Sequence, residues 1–184
     1  MSEAPSRGDV LYRLRHSTAH IMAQAVGQIF PEAKFAIGPP IKGGFYYDFD
    51  LPRPITDDDL AEVETKMRAI VKANHKFLQE TWSKDKAREF FGADGQDYKI
   101  EIMDTIIQGD EVSIFKHDTF VDLCAGPHLS YTKKAKHFKL LRVSGAYWRG
   151  DSDRQMLQRI YGTVWPTKEE LDAYVEGLEE AKKR

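Results

Sequence analysis

Asp9-Val-Leu-Tyr-Arg-Leu-Arg-His16-Ser-Thr-Ala-His20-Ile-Met-Ala-Gln-Ala-Val-Gly-Gln-Ile-Phe30 is the stretch from which the rest of the chain can be read. Val10, Leu14, Thr18, Ile21, Met22, Ala25 and Ile29 recur at spacings of three and four, the period of a helix with one apolar stripe. Asp9 is placed to cap its start and Pro31 to end it. His16 and His20 lie about one turn apart, so their side chains point the same way. At about 100° per residue both fall nearly opposite the Leu14–Ile21–Ala25 stripe, beside the small residues Ala23 and Gly27. A histidine pair so placed reads equally well as a solvated face or as a functional one. Small neighbours favour the second, because they leave room for another element to approach and form a cleft.

Outward from this helix, Gly38-Pro-Pro40 and Gly43-Gly44 mark turns that lead into an aromatic strand, Phe45 to Phe49, broken by Pro52 and Pro54. Thr56 with Asp59 resembles a capping box, opening a helix whose apolar stripe is Leu60, Val63, Met67, Ile70 and Val71. Phe77 to Trp82 reads as extended, and Ser83 as the cap of a brief helix ending near Phe91. Alternation then predicts strands through Tyr98–Ile100–Ile102, Val112–Ile114, Thr119–Val121–Leu123, Phe138–Leu140 and Met156–Thr163. His117-Asp118 and Gly109-Asp110 supply turns between them. Thr167 with Glu170 opens a last helix with Leu171, Tyr174, Val175 and Leu178 on one side. The expected fold is α+β: an antiparallel sheet, a long N-terminal helix carrying the two histidines, and flanking helices.

The chain has 184 residues, 41% hydrophobic and 30% charged, the make-up of one globular domain that buries a core. A formal net charge of −2 means that any nucleic-acid contact comes from a local patch. The single cysteine excludes an internal disulfide and a Cys-rich zinc ribbon. With no export signal it points to a reducing, cytoplasmic setting. No apolar run approaches the roughly 20 residues that span a bilayer. Residues 1–8 read as a flexible lead-in.

That cysteine sits in Asp122-Leu-Cys124-Ala-Gly-Pro-His128, four residues before a histidine. Gly126-Pro127 disfavours helix, so the motif is a turn at the end of the Thr119–Leu123 strand, where functional groups are often carried. Alone it would also fit a buried structural cysteine beside a turn histidine. Together, His16, His20, Cys124 and His128 suit a tetrahedral metal site or a polar hydrolytic pocket. A Cys/His nucleophile pair fits by composition alone and ranks lowest.

His16-Ser-Thr-Ala-His20 with Cys124-Ala-Gly-Pro-His128 resembles the paired HxxxH and CxxxH signature of synthetase editing domains, shared by the threonyl and alanyl enzymes. Ala36-Ile-Gly-Pro39, Gly44-Phe-Tyr-Tyr-Asp48, Gly145-Ala-Tyr-Trp-Arg-Gly-Asp-Ser152 and Met156-Leu-Gln-Arg-Ile-Tyr-Gly162 draw the resemblance to the bacterial threonyl type. It runs from about Leu14 to the end of the chain. The resemblance implies hydrolytic removal of serine wrongly attached to threonine tRNA. It implies that His16, His20, Cys124 and His128 line the deacylation pocket. Lys99 then matches a lysine near the substrate's amino acid and terminal adenosine, and Tyr47 and Asp122 match further pocket positions. Read without it, Lys99 is a solvated strand lysine, Tyr47 a core or rim aromatic, and Asp122 a strand-end residue.

The resemblance also divides the chain: residues 9–165 as the editing domain, and 166–184 as the start of a helix leading toward a catalytic core that is not present. The chain reads as a piece of a longer synthetase, unable by itself to activate threonine or bind ATP. The alternatives are a free-standing editing protein or a tRNA-binding appendage inactive in isolation. The expected partners are the serine-charged acceptor end of tRNA(Thr) and the rest of the synthetase, with no membrane. Lys133, Lys134, Lys136, Lys139 and Arg142 follow the cysteine turn. They read as a solvated surface that, beside such a pocket, gains a role in phosphate contact. Zinc is chemically possible on His16, His20, Cys124 and His128 but is not expected to be required, since four protein ligands leave no open position for an activated water.

Overall fold

A computed structural model describes residues 5–184 of the chain. The elements run α1 (Val10–Ile29), β1 (Lys34–Phe35), β2 (Pro40–Ile41), β3 (Gly44–Asp50), α2 (Asp57–Ala73), β4 (Leu78–Ser83), α3 (Lys84–Ala93), α4 (Asp97–Thr105), β5 (Glu111–His117) and β6 (Phe120–Leu123). A 3-10 turn at Thr132–Ala135, β7 (Phe138–Tyr147), a second 3-10 turn at Trp148–Gly150, β8 (Met156–Val164) and α5 (Lys168–Lys182) complete the chain. β1, β3, β8 and β7 pair in that order, with β2 also on β3, and β4, β5 and β6 form a smaller sheet. Every pairing is antiparallel, so the fold is α+β as expected.

The main core lies between the larger sheet and α1 with α2. Phe45, Tyr47 and Phe49 point inward from β3 and meet Ile21, Met22 and Ala25 of α1 and Val63 and Met67 of α2. Each large side chain buried there contributes on the order of 1.5–3 kcal/mol. β3 and β8 run close enough at Gly44 that a Cβ there would collide with the Gly162 carbonyl. Gly44→Ala would therefore push the central pair of strands apart. A second core, built on Trp82, Phe91, Met103 and Ile114, holds α3 and α4 on the small sheet.

α1 is more enclosed than an amphipathic stripe implies. Every residue from Leu14 to Val26 is buried, so the histidine side of the helix is interior and not a solvated face. The small neighbours serve close packing: a Cβ at Gly27 would sit 3.1 Å from the Phe35 ring. Asp9 occupies the N-cap position, but its side chain caps nothing and accepts instead from the Ser6 N–H at 3.1 Å. The capping box at Thr56 and Asp59 and the caps at Ser83 and Thr167 form as read.

The clearest departure is Tyr98–Ile100–Ile102, read as a strand and folded as helix α4. Lys99, Ile102 and Met103 are its buried residues, the three- and four-residue spacing of a helix face. Gln96 anchors its start by accepting from Phe35 N–H at 2.9 Å and donating to the Ala33 carbonyl at 3.1 Å. In consequence Gly109-Asp110 links a helix to a strand and is not a hairpin. α5 buries none of its residues. Of the expected lead-in, residues 1–4 lie outside the described residues, while Arg7 donates to the Gly126 carbonyl at 2.8 Å.

Candidate functional site

Four elements converge on one cavity of about 310 Å³. α1 brings His16 and His20, α4 brings Lys99, and the end of β6 with its following turn brings Asp122 and Cys124. Tyr12, also on α1, and the segment of Ile37, Gly38, Pro39 and Pro40 add to its lining. Tyr47, from β3, lies behind Lys99 and Asp122. The turn can fold back onto α1 because Gly126 adopts a φ of +71°, where a Cβ would also meet Phe115 at 2.7 Å.

Hydrogen bonding fixes how two of the imidazoles are protonated. The Leu129 N–H donates to Ser17 Oγ at 2.8 Å, and among the described residues the one acceptor that the Ser17 hydroxyl meets for its own proton is His128 Nδ1, at 3.0 Å. His128 then carries its own proton on Nε2, 3.2 Å from Cys124 Sγ. His16 Nδ1 faces the Pro127 carbonyl at 3.2 Å and must be its protonated nitrogen. Its bare Nε2 therefore faces Sγ, also at 3.2 Å, and accepts the thiol proton. The Gly126 N–H donates to the same sulfur at 3.2 Å. His128 stands behind the sulfur and does not reach the cavity wall.

The other half of the site centres on Asp122. Its Oδ2 accepts from the Tyr47 hydroxyl at 2.7 Å and lies 3.3 Å from His20 Nε2, while Oδ1 lies 2.6 Å from Lys99 Nζ. Lys99 also donates to the Ala36 carbonyl at 2.7 Å and to the Tyr47 hydroxyl at 2.9 Å. Lys99 is only 3% exposed, so it is a buried helix lysine and not a solvated strand one. His20 Nδ1 is buried with no hydrogen-bond partner among the described residues.

Burial sets the charge state. It lowers the His16 pKa to about 4 and holds His20 and His128 well below the usual histidine range, aided by the neighbouring imidazoles. It pushes the Cys124 thiol up to about 12, with the Asp122 charge adding to the effect. At neutral pH the site therefore holds neutral imidazoles and a protonated thiol. That is poor ground for a Cys/His nucleophile pair, which needs a thiolate. The donor atoms of His16, His20, Cys124 and His128 lie within 4.8 Å of one another, so the set fits zinc by chemistry and spread.

The sequence reading placed His16, His20, Tyr47, Lys99, Asp122, Cys124 and His128 at the site, and the fold brings all of them together. Ser17 and Tyr12 were missed. Neither carries a sequence signal beyond its place beside or one turn before His16, although Tyr12 meets that imidazole edge-on at 5.6 Å between ring centres. Lys133, Lys134, Lys136, Lys139 and Arg142 are exposed and lie apart from the histidine cavity. A separate cleft of about 810 Å³ also touches Lys99 and Asp122 but none of the histidines.

Residues 107–161 match the family described as the threonyl and alanyl tRNA synthetase second additional domain. Over 171 residues, 93% of its length, the chain is 52% identical to a threonine–tRNA ligase of Wolbachia pipientis subsp. Culex pipiens. Over the same span it is 51% identical to that of Rickettsia akari and 52% identical to that of Alkalilimnicola ehrlichii. The chain covers 27% of the length of these curated relatives. Among the described residues no helix is long and apolar enough to cross a membrane. Residues 107–161 thus carry the threonyl and alanyl tRNA synthetase second additional domain, in a chain similar along 93% of its length to part of threonine–tRNA ligases.

Proposed function

We propose that the domain proofreads by hydrolysis, cleaving serine from tRNA(Thr) and sparing threonine, as part of a threonyl-tRNA synthetase in the cytoplasm. The observation that carries the reading is His20 Nδ1, a buried, unpartnered basic nitrogen on a residue that lines a small cavity beside a buried carboxylate. Threonine and serine differ by one methyl group, worth only about 1–3 kcal/mol of discrimination in a binding pocket. A second, smaller pocket that hydrolyses what enters it supplies the remainder. At about 310 Å³ the cavity is at the small end of ligand pockets, which suits an aminoacyl group near its size limit.

The ester is already activated, so the protein's task is to place a water and hold charge. His20 Nδ1 takes a proton from the water as its oxygen attacks the ester carbonyl carbon. Asp122, on the other side of the ring, stabilises the imidazolium that forms. The tetrahedral intermediate collapses by breaking the bond to the ribose oxygen, which takes the proton back from His20. Serine and an uncharged tRNA leave. Lys99 donates to the Ala36 carbonyl and the Tyr47 hydroxyl and pairs with Asp122, so it acts by holding Asp122 in place and by its positive charge. His128 and Ser17 act on Cys124, keeping its proton directed at His16. Zinc, if bound by His16, His20, Cys124 and His128, would act as a Lewis acid. The steps above use the side chains alone.

The test is deacylation of Ser-tRNA(Thr) and Thr-tRNA(Thr) by the chain at high concentration. Hydrolysis of the first and not the second is expected. Binding of both without hydrolysis of either would make the domain a passive tRNA-binding appendage.

A further inference from the structure

Away from the histidine cavity, cations gather at one place. Arg68 and Lys72, one turn apart on α2, meet Lys133 and Lys136 of the first 3-10 turn and its end around a cleft of about 430 Å³. Val71 and Phe138 complete its lining, and no acidic residue takes part. Among the described residues none of these four cations makes an ion pair, whereas Arg53, Arg88, Arg154 and Arg159 each hold a carboxylate.

The scaffold beneath them is fixed. Thr132 Oγ1 donates to the Ile70 carbonyl at 3.0 Å and accepts from His75 N–H at 2.9 Å, and the Lys133 N–H donates to Asn74 Oδ1 at 3.2 Å. The turn is thus tied to the end of α2, while the charged ends project from it. Of the basic run read from the sequence, Lys134, Lys139 and Arg142 do not line the cleft. Arg142 instead lies over the Tyr161 ring at 3.7 Å.

We propose that Arg68, Lys72, Lys133 and Lys136 form a phosphate-binding groove for the acceptor strand of the tRNA whose 3′ ester enters the histidine cavity. Four cations around an apolar floor, on a protein of net charge −2, complement a polyanion and little else. The groove is also near the chemistry. Lys133 is five residues from His128, so their Cα atoms are at most roughly 17 Å apart. A nucleic-acid strand carries a phosphate every few ångströms, which places the groove within a few nucleotides of the reacting ester. The proposal rests on the hydrolytic reading for its substrate and adds the residues that hold the strand.

The experiment compares Ser-tRNA(Thr) with seryl-adenosine, which has the ester but no phosphate, for the wild type, Arg68→Glu, Lys72→Glu and the neutral Lys72→Gln, between about 50 and 200 mM salt. Each charge reversal is expected to raise KM for Ser-tRNA(Thr) roughly ten-fold and to lower the salt slope by about 1, with Lys72→Gln intermediate. The loss is expected on the phosphate-bearing substrate alone. Lys182→Glu, at the far end of α5, controls for net charge. Wild-type KM and salt slope in the α2 variants would overturn the groove, as would an equal loss on seryl-adenosine or in Lys182→Glu. Should the wild type hydrolyse neither ester, the hydrolytic reading fails. Direct binding of uncharged tRNA(Thr) then judges the groove alone: weakened binding by Arg68→Glu and Lys72→Glu supports it, and unchanged binding ends it.

Discussion

His16, Ser17, Cys124 and His128 make one half of the site, and His20, Tyr47, Lys99 and Asp122 the other. The first half is closed on itself. Its sulfur, its serine hydroxyl and both nitrogens of each imidazole have partners within the set or on the backbone. The second half is open: among the described residues His20 Nδ1 and Asp122 Oδ1 are buried without a hydrogen-bond partner. A saturated network holds shape, while a nitrogen without a partner is open to a further one. The two histidines of one helix turn thus differ in what each ring's second nitrogen touches.

The largest expected effect comes from removing the open nitrogen. His20→Asn is expected to lower kcat for Ser-tRNA(Thr) by roughly 10²–10⁴-fold, the usual worth of a positioned base. Asparagine is preferred to alanine because His20 is only 2% exposed, and a truncation would leave a hole in the α1 packing. If His20→Asn kept its activity while His16→Asn lost it, the assignment of the two halves would be reversed.

Lys99→Met comes next. It leaves Asp122 charged and buried beside Tyr47, and losing one partner of such a pair costs about 3–5 kcal/mol. Urea unfolding should show the loss as a lower midpoint with an unchanged slope. A midpoint like that of the wild type would mean that the pair holds nothing in place.

Acid should act more moderately, and through the closed half. His16 is kept neutral by burial, with a pKa near 4 in the fold against 6.5 in the free chain. Between those values the unfolded chain binds the proton and the folded one does not, so stability is complete above pH 6.5 and falls as pH drops toward 4. For this one residue the loss approaches about 3 kcal/mol. His117, lowered by burial to about 3, adds to it from outside the site. Unfolding midpoints between pH 7 and 4 test this, and a midpoint independent of pH would show that His16 is solvated.

Ser17→Ala sharpens the comparison at smaller cost. It removes the donor to His128 Nδ1 and the acceptor of the Leu129 N–H, worth about 1–3 kcal/mol for groups left unsatisfied. Deacylation is expected to fall by roughly ten-fold in kcat with little change in KM, since Ser17 touches no cavity wall. Ser17→Thr, which keeps the hydroxyl, should recover most of it. A variant that melts lower but turns over at the wild-type rate would reduce Ser17 to a structural bond.

What could be read from the sequence follows how local the signal is. The caps at Thr56, Ser83 and Thr167 and the alternation of Val112–Ile114 and Thr119–Leu123 are set by neighbours along the chain, and the fold agrees. The histidine and cysteine motifs were legible through their paired resemblance to synthetase editing domains, since spacing alone fits a solvated helix face and a structural cysteine as well. α4 was not, since Tyr98–Ile100–Ile102 alternates like a strand and its helical face shows only in Lys99, Ile102 and Met103 together. A lysine does not read as an inward residue until an aspartate from another element is there to pair with it. Ser17 and the pairing of α2 with Lys133 and Lys136 depend on contacts across 57 residues or more, beyond what local patterns carry.

The smallest expected effect is that of removing metal. Cys124, His16 and His128 already satisfy one another through hydrogen bonds, and the thiol is held protonated by burial and by the charge of Asp122. Zinc would have to displace that proton. Once His16, His20, Cys124 and His128 had all closed on the ion, no position would remain for an activated water. It would also engage His20, the residue on whose free nitrogen the proposed hydrolysis depends. Activity is therefore expected to survive exhaustive chelation, and added zinc to inhibit. Deacylation and metal content measured on the same sample decide the point: activity that is lost on chelation and returns in proportion to zinc would make the two halves of the site a single metal centre.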